Sequence, residues 1–338
     1  MPKVSAIIPT YNREAFVVKA VQSILKQRFT DYEIIVVDDG STDNTQKSLA
    51  PYWERITYIY QQNSGVSSAL NTGIRVARGD WIAILGSDDE WMPGYLSHQV
   101  EQVVRYPQAV AHMTNATTID LNGTRKDHFA DLGFLDAFGG RSSLMLQRPL
   151  RTIIKHGIYA TQTALLRRDV VLDVGLFDED LSIAEDLDII CRVALRGSFT
   201  VSSTPMVERY RRHEDIVHLG AQTMLNGLYS CRAFCRVYDR LLRSDDLTRW
   251  EKLTIAAVAS QSWRALGNML VLAGQTGEAR RAYRQSLANR ISIRSYVKLL
   301  GTYLPHFASA AMVRVRHMLP QETNLKGLTL SSKTFRGH

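Results

Sequence analysis

Along the first hundred positions, apolar residues form short unbroken runs, and between the runs they recur at helical spacing. Val4–Pro9 (VSAIIP) is β-rich and apolar, and predicts a first strand. Phe16, Val17, Ala20, Val21, Ile24 and Leu25 then share one face of an amphipathic helix. YEIIVVDDGS predicts a second strand that ends in two carboxylates and a Gly-Ser turn. Ser41-Thr42-Asp43 offers capping oxygens to the next helix. Ile56–Tyr60 predicts a third strand, Gly65–Ala77 a helix, and Trp81–Leu85 (WIAIL) a fourth strand. Continuous apolar strands alternating with amphipathic helices predict an α/β fold: a Rossmann-like, mostly parallel sheet with helices on both faces.

The pattern changes after about residue 108. Ala109–Thr114, Ile158–Leu166 and Met206–Tyr210 predict strands, and Ala184–Arg196 a helix. Asp131–Arg148 is rich in Gly, Leu and Phe without clear periodicity and reads as a mobile loop. From about 225 the chain is helical in character. Trp263, Leu266, Gly267, Leu270, Ala279, Tyr283 and Ser286 match the spacing of one tetratricopeptide unit. An ordinary helical hairpin fits these residues equally well. Tyr296–Leu319 carries Leu300, Tyr303, Leu304, Phe307, Ala311, Met312, Val315 and Met318 on one helical face, with Lys298, Arg314 and Arg316 beside it. The expected organisation is therefore two halves of one α/β domain, 1–107 and 108–222, a helical region 223–320 and a loose tail 321–338.

Charge sharpens this division. Residues 225–338 hold 18 Lys/Arg and 6 Asp/Glu, a net +12, whereas residues 1–224 hold 23 and 27, a net −4. The basic character belongs to the last third, which points to a peripheral contact with an anionic membrane. Without a recognised nucleic-acid module, a nucleic-acid partner is not expected. No run of about 18 apolar residues predicts a membrane-spanning helix. The three cysteines, Cys191, Cys231 and Cys235, form no disulfide framework and suit a reducing, cytoplasmic compartment.

The candidate chemistry lies at the strand ends. In open parallel sheets, ligands bind beyond the carboxyl ends of the strands. Three such ends here carry polar groups: Thr10-Tyr11-Asn12 after Pro9, Asp38-Asp39-Gly40, and Ser87-Asp88-Asp89. The last lies in GSDDEW, directly after an apolar strand. Adjacent carboxylates there should repel one another. A hard divalent cation such as Mg²⁺ or Mn²⁺, itself bound to a diphosphate, would justify them. Asp38 and Asp39 also serve as potential helix caps.

VSAIIPTYNRE, VVDDGSTDNT, NSGVSSALNTG and GSDDEWMPGYL, in that order, resemble the nucleotide-binding half of a family 2 glycosyltransferase of the GT-A fold. The likeness is strong over roughly the first 100 residues and continues more weakly to about 215 through EDLDIICRVA and YRRHE. It implies an inverting transfer of a sugar from a nucleotide-diphosphate donor to a hydroxyl of a glycan or lipid-linked acceptor, as in surface polysaccharide synthesis. It implies that Asp39 contacts the nucleobase while Pro9, Thr10, Tyr11 and Asp38 shape that pocket. Asn63, Gly65, Asn71, Ser87, Asp88, Arg212 and His213 fall in the donor-binding blocks. Asp88, Asp89 and His213 become the expected ligands of the divalent metal. Asp186, in the Glu185-Asp186 block, becomes the base that takes the acceptor proton.

The chain departs from the family pattern twice. Gly86 stands where a first carboxylate is usual, and Leu70 where an Arg often precedes the Asn that Asn71 resembles. Two other readings stay open at this point. One is a sugar nucleotidyltransferase, although no Gly-rich loop with a basic phosphate clamp lies near the start. The other is an inactive nucleotide-binding protein that recruits partners through its helical region.

Overall fold

A computed structural model describes residues 3–211 and 223–303. Arg212, His213, most of the expected Tyr296–Leu319 helix and the expected tail lie outside the described residues. The chain divides into two compact units, Met1–Ile153 with Gly157–His213, and Ile154–His156 with Glu214–His338.

The first unit is built on ten strands: β1 Val4–Thr10, β2 Tyr32–Asp38, β3 Thr57–Tyr60, β4 Trp81–Ile84, β5 Glu90–Trp91, β6 Ala111–Ile119, β7 Arg125–Asp127, β8 Ser143–Leu146, β9 Ala164–Arg167 and β10 Phe199–Tyr210. Their order is β3-β2-β1-β4-β9-β6-β10-β5, with β7 on β6 and β8 on β10. The helices are α1 Val17–Leu25, α2 Thr45–Leu49, α3 Val66–Val76, α4 Tyr95–Arg105, α5 His128–Asp131, α6 Leu150–His156, α7 Arg168–Asp173 and α8 Glu185–Ala194.

β3, β2, β1 and β4 run parallel. The apolar runs of β1, β2 and β4 are buried because helices cover both faces, while the edge strand β3 is partly exposed. Ile8, Val36 and Trp81 pack with Val17, Val21 and Ile24 of α1 and with Tyr95 and Leu96 of α4. On the other face α3 approaches so closely that a Cβ on Gly73 would lie 2.6 Å from Ile7 Cγ2. Glycine is required there by contact, not by backbone angle. The unbroken parallel run ends at β4, and parallel pairing returns between β6 and β10. β9 runs antiparallel to both β4 and β6, and β5, β7 and β8 are also antiparallel to their partners.

Two expectations need correction. The apolar stretch Ile158–Leu166 is not one strand: a 3₁₀ turn at Thr161–Thr163 precedes the short β9. A run of apolar residues does not by itself distinguish the two. Asp131–Arg148 is not an irregular loop. It holds a 3₁₀ turn at Leu135–Phe138 and the strand β8. Phe134 and Phe138 pack with Phe129 of α5, with centroids 5.1–6.1 Å apart, and all three are buried. Their spacing fits neither a helix nor a strand, so periodicity missed them.

Among its described residues the second unit has four helices, α9 Thr223–Leu242, α10 Arg249–Leu272, α11 Thr276–Asn289 and α12 Ile293–Gly301. Thr248 caps α10 through a reciprocal box with Glu251. Leu266 and Leu270 of α10 are buried with Ala279, Ala282 and Tyr283 of α11. Gly267 lies under the Tyr283 ring, where a Cβ would meet Cε1 at 2.6 Å. The repeat-like spacing is thus a packed helical hairpin with further helices beside it. Cys231 and Cys235 are buried free thiols. Among the described residues no helix is long and apolar enough to cross a membrane.

Candidate active site

β1 lies between β2 and β4, and Thr10 is in register with Asp38. Adjacent strands sit about 4.8 Å apart, so the ends of β2 and β4 flank Thr10 within about 10 Å. The three polar strand ends therefore share one crevice edge. Thr10 Oγ1 is buried there and has no hydrogen-bond partner among the described residues.

Asp38 is fully buried and structural. Its Oδ1 accepts from the Ser41 amide at 2.8 Å, and its Oδ2 from the Tyr58 hydroxyl at 2.7 Å. Asp39 braces the turn that opens α3. Its Oδ1 accepts from Gln61 Nε2 at 2.7 Å and the Ser64 amide at 2.9 Å, while Oδ2 accepts from the Gly65 amide at 2.8 Å. A carboxylate offers about four acceptor positions, so most of this one serves the fold. Gly40, at φ +84°, permits the contact: a Cβ would lie 2.7 Å from the Asn63 amide nitrogen. Gly65, at φ +90°, is the residue before α3. Asn63 and Tyr11 are exposed at this rim and Pro9 is half-buried.

A second interlock was not anticipated from sequence. Asn12, at φ +50°, accepts from the Thr42 amide at 2.8 Å through Oδ1, and its own amide donates to Ser41 Oγ at 2.9 Å. Glu14 Oε2 accepts from the Asn44 amide at 2.7 Å. Asp43 accepts from the Thr45 amide and hydroxyl at 2.9 and 2.6 Å, so it supports the start of α2 as expected. These contacts join loops about thirty residues apart, and only the positive φ tolerated by Asn hints at them locally.

Asn71 is corrected by the structure. Its amide is buried, donating to the Phe177 carbonyl and to Glu179 Oε1 at 2.9 Å each and accepting from the Phe177 amide at 2.8 Å. It holds the segment before α8 rather than facing the strand ends. Ser67 Oγ donates to the Leu181 carbonyl from the same helix, at 2.7 Å. Leu70, where the resemblance would place an Arg, is buried in the core.

Asp88 and Asp89 converge. The Cβ position above Gly86 lies 3.2 Å from Asp88 Oδ1 and 3.1 Å from Asp89 Oδ2, so both carboxylates face the space that glycine leaves bare. Asp89 and Ser87 are buried. Asp89 Oδ1 accepts from the Tyr210 amide at 3.1 Å, which ties the pair to the end of β10. Two hard oxygen donors facing one space suit Mg²⁺ or Mn²⁺. No cluster of three or more ligating side chains occurs among the described residues, and the third expected ligand, His213, lies outside them.

Asp186 lies in the first turn of α8, which starts after Ala184 at φ +65°. Desolvation and the neighbouring Glu185 carboxylate push its pKa up to about 7, against the Leu187 amide and Arg209, which favour the charged form. Burial raises Glu185 as well. Two residues on, Asp188 is fully buried and paired with Arg192, whose Nη1 and Nη2 also donate to the Val174 and Leu176 carbonyls at 2.6 and 2.7 Å. α8 is thereby fixed to the segment that Asn71 holds. Arg209, one residue before the Tyr210 that binds Asp89, acts electrostatically on Asp186, Tyr159 and His128. No motif signalled it, because its place follows from β10 alone.

Such a sheet, with polar strand ends sharing one crevice edge, is an α/β scaffold whose ligand site lies beyond the carboxyl ends of its strands. The sequence model of "Glycosyl transferase family 2" matches residues 5–175, and the chain belongs to that family. It is 30% identical over 261 residues to an uncharacterized glycosyltransferase of Rickettsia typhi, covering 77% of each chain. It is 36% identical over 138 residues to a Campylobacter jejuni β-1,3-glucosyltransferase, which is 39% of this chain and 44% of that one. Among solved structures, Staphylococcus aureus TarS 1–349 in complex with UDP-GlcNAc superposes with a TM-score of 0.65 at 18% identity, covering 89% of this chain and 91% of that one. A Pyrobaculum calidifontis mannosyltransferase in complex with GDP-Man and Mn²⁺ superposes at 0.54, with 16% identity and 94% and 88% coverage. The protein is a family 2 glycosyltransferase with a GT-A fold, which sets the nucleotidyltransferase reading aside.

Proposed function

We propose that this protein is an inverting, metal-dependent glycosyltransferase that extends a glycan or lipid-linked acceptor, in the synthesis of a surface polysaccharide. The observation that carries the reading is the convergent Asp88–Asp89 pair, tied to β10 through Tyr210, with the buried Asp186 carboxyl of α8 held above the usual carboxylate range by desolvation and Glu185. The Mn²⁺ and UDP-GlcNAc complexes of the structural neighbours, and the glucosyltransferase and chondroitin synthase names among the relatives, support it.

Asp88 and Asp89 would hold the cation. When bound, it offsets negative charge on the donor diphosphate as the bond to the sugar breaks. Pro9, Thr10 and Tyr11 line the edge nearest the base, and the remaining acceptor position of Asp39 is available to a base N–H. Asp186 accepts the acceptor's hydroxyl proton while that oxygen bonds to the anomeric carbon and the nucleotide diphosphate leaves from the opposite side. A raised pKa suits this task, because a carboxylate that still ionises near neutral pH is then basic enough to take the proton. A single displacement of this kind inverts the anomeric centre and needs no covalent enzyme intermediate.

Asp186→Asn tests the reading: binding of the nucleotide sugar is expected to persist while transfer falls by about 10³-fold or more. A normal transfer rate in that variant would remove Asp186 as the base.

A further inference from the structure

Helix α12 has two distinct apolar relationships. Its inner face is accounted for: the Ser295 hydroxyl lies 2.8 Å from that of Ser286, Leu299 packs on the Leu266–Tyr283 cluster, and the Thr302 carbonyl accepts from Arg280 Nη2 at 2.8 Å. The outer face is not. Ile293, Tyr296, Val297 and Leu300, spaced i, i+3, i+4, i+7, are 82%, 55%, 44% and 52% exposed. Ile291 and Tyr303 extend the stripe at 91% and 59%. An exposed apolar patch of this continuity marks an interaction surface.

Charge decides the partner. Residues 279–303 contain six basic side chains and no acidic one. Arg294 and Lys298 border the stripe along one side of α12. Arg280 lies over the Tyr303 ring at 4.3 Å, and Arg284 Nη2 reaches the Tyr303 hydroxyl at 3.3 Å. A second copy docking through this face would bring like charges together across a two-fold axis. Aliphatic residues and tyrosines along one ridge, edged by Arg and Lys, match a helix lying in an interface with anionic headgroups. We infer that the outer face of α12 docks the protein onto an anionic bilayer surface. The inference stands apart from the catalytic reading, since docking requires neither donor nor acceptor.

The test is co-sedimentation of the full-length protein with sucrose-loaded vesicles, without substrates. Vesicles of phosphatidylcholine containing about 30% phosphatidylglycerol are expected to bind it, and phosphatidylcholine alone is not. About 0.5 M NaCl should release it. Ile293→Gln/Leu300→Gln, which removes apolar area, and Arg284→Gln/Arg290→Gln, which removes the exposed charges beside Tyr303 and Ile291, should each weaken binding about tenfold. All four side chains are exposed, so unfolding temperatures should match the parent. If the apolar variant unfolds, the arginine variant alone carries the test. Failure to bind anionic vesicles, or undiminished binding by the folded variants, overturns the inference. So does a dimer in sedimentation equilibrium that the Ile293→Gln/Leu300→Gln variant breaks while vesicle binding is absent.

Discussion

At the scale of single residues, the chemistry rests on how each carboxylate is housed. Asp38 is spent on Ser41 and Tyr58, and Asp188 on Arg192, so neither is available for catalysis. Asp186 differs because burial and Glu185 destabilise its charge. Below a pH of about 7 it holds a proton and is no base, so the transfer rate should fall on the acid side of neutrality. Glu185→Gln removes the adjacent negative charge and should move that acid limb to lower pH, as read from the pH profile of kcat. The linkage gives a second outcome. A carboxylate whose folded pKa is raised stabilises the fold while protonated, and that contribution is lost as pH rises through the folded value. Asp186→Asn keeps a neutral side chain throughout, so it should unfold at a higher temperature than the parent at pH 8, with the difference vanishing toward pH 4. The sequence pointed to Asp186 through its Glu-Asp block. It offered nothing on Arg209, whose position depends on the register of β10 against β6 and β5.

At the scale of elements, the strand ends were legible and the contacts between loops were not. Continuous apolar runs located β1, β2 and β4 because strands buried on both faces carry no alternation to obscure them. Asn71 shows the limit. Its place in a donor-binding block suggested a ligand contact, but its side chain clamps Phe177 and Glu179, more than a hundred residues away. That clamp makes α3 a brace for the segment leading to α8. Asn71→Ala leaves the Phe177 amide and carbonyl buried and unpaired, and should destabilise the first unit by about 2–4 kcal/mol. If the brace positions Asp186, kcat should fall while KM for the donor stays near the parent value. In the second unit, Gly267→Ala forces a methyl group against the Tyr283 ring and should lower stability by about 1–3 kcal/mol in denaturant unfolding. A change smaller than about 0.5 kcal/mol would mean the ring yields freely.

At the scale of the whole molecule, charge and function separate along the chain. The acidic pair, the proposed base and the crevice edge all belong to the unit that carries the family match. The helical unit carries the basic excess, which the sequence made visible by simple counting. The sequence also placed an apolar stripe beyond residue 296. Its described part, on α12, begins earlier at Ile291 and faces outward, a direction that only packing against α11 determines. The two departures from the family pattern have different characters. Leu70 is absorbed into the core, so no cation replaces it there. Gly86 instead leaves room between two carboxylates, and its missing side chain is part of the site's geometry.

The central claim is that Asp88 and Asp89 hold a divalent cation through which the donor nucleotide binds. Thermal unfolding with UDP, GDP and TDP, each with and without Mn²⁺, tests it in the parent and in Asp88→Asn. A ligand that binds only the folded state must raise its stability, by about 2.7 kcal/mol at a hundred times the Kd. One nucleotide is expected to raise the unfolding temperature by several degrees, about 2–4 °C per kcal/mol, only when Mn²⁺ is present and only in the parent. An equal shift without Mn²⁺, or the same Mn²⁺-dependent shift in folded Asp88→Asn, would contradict the claim.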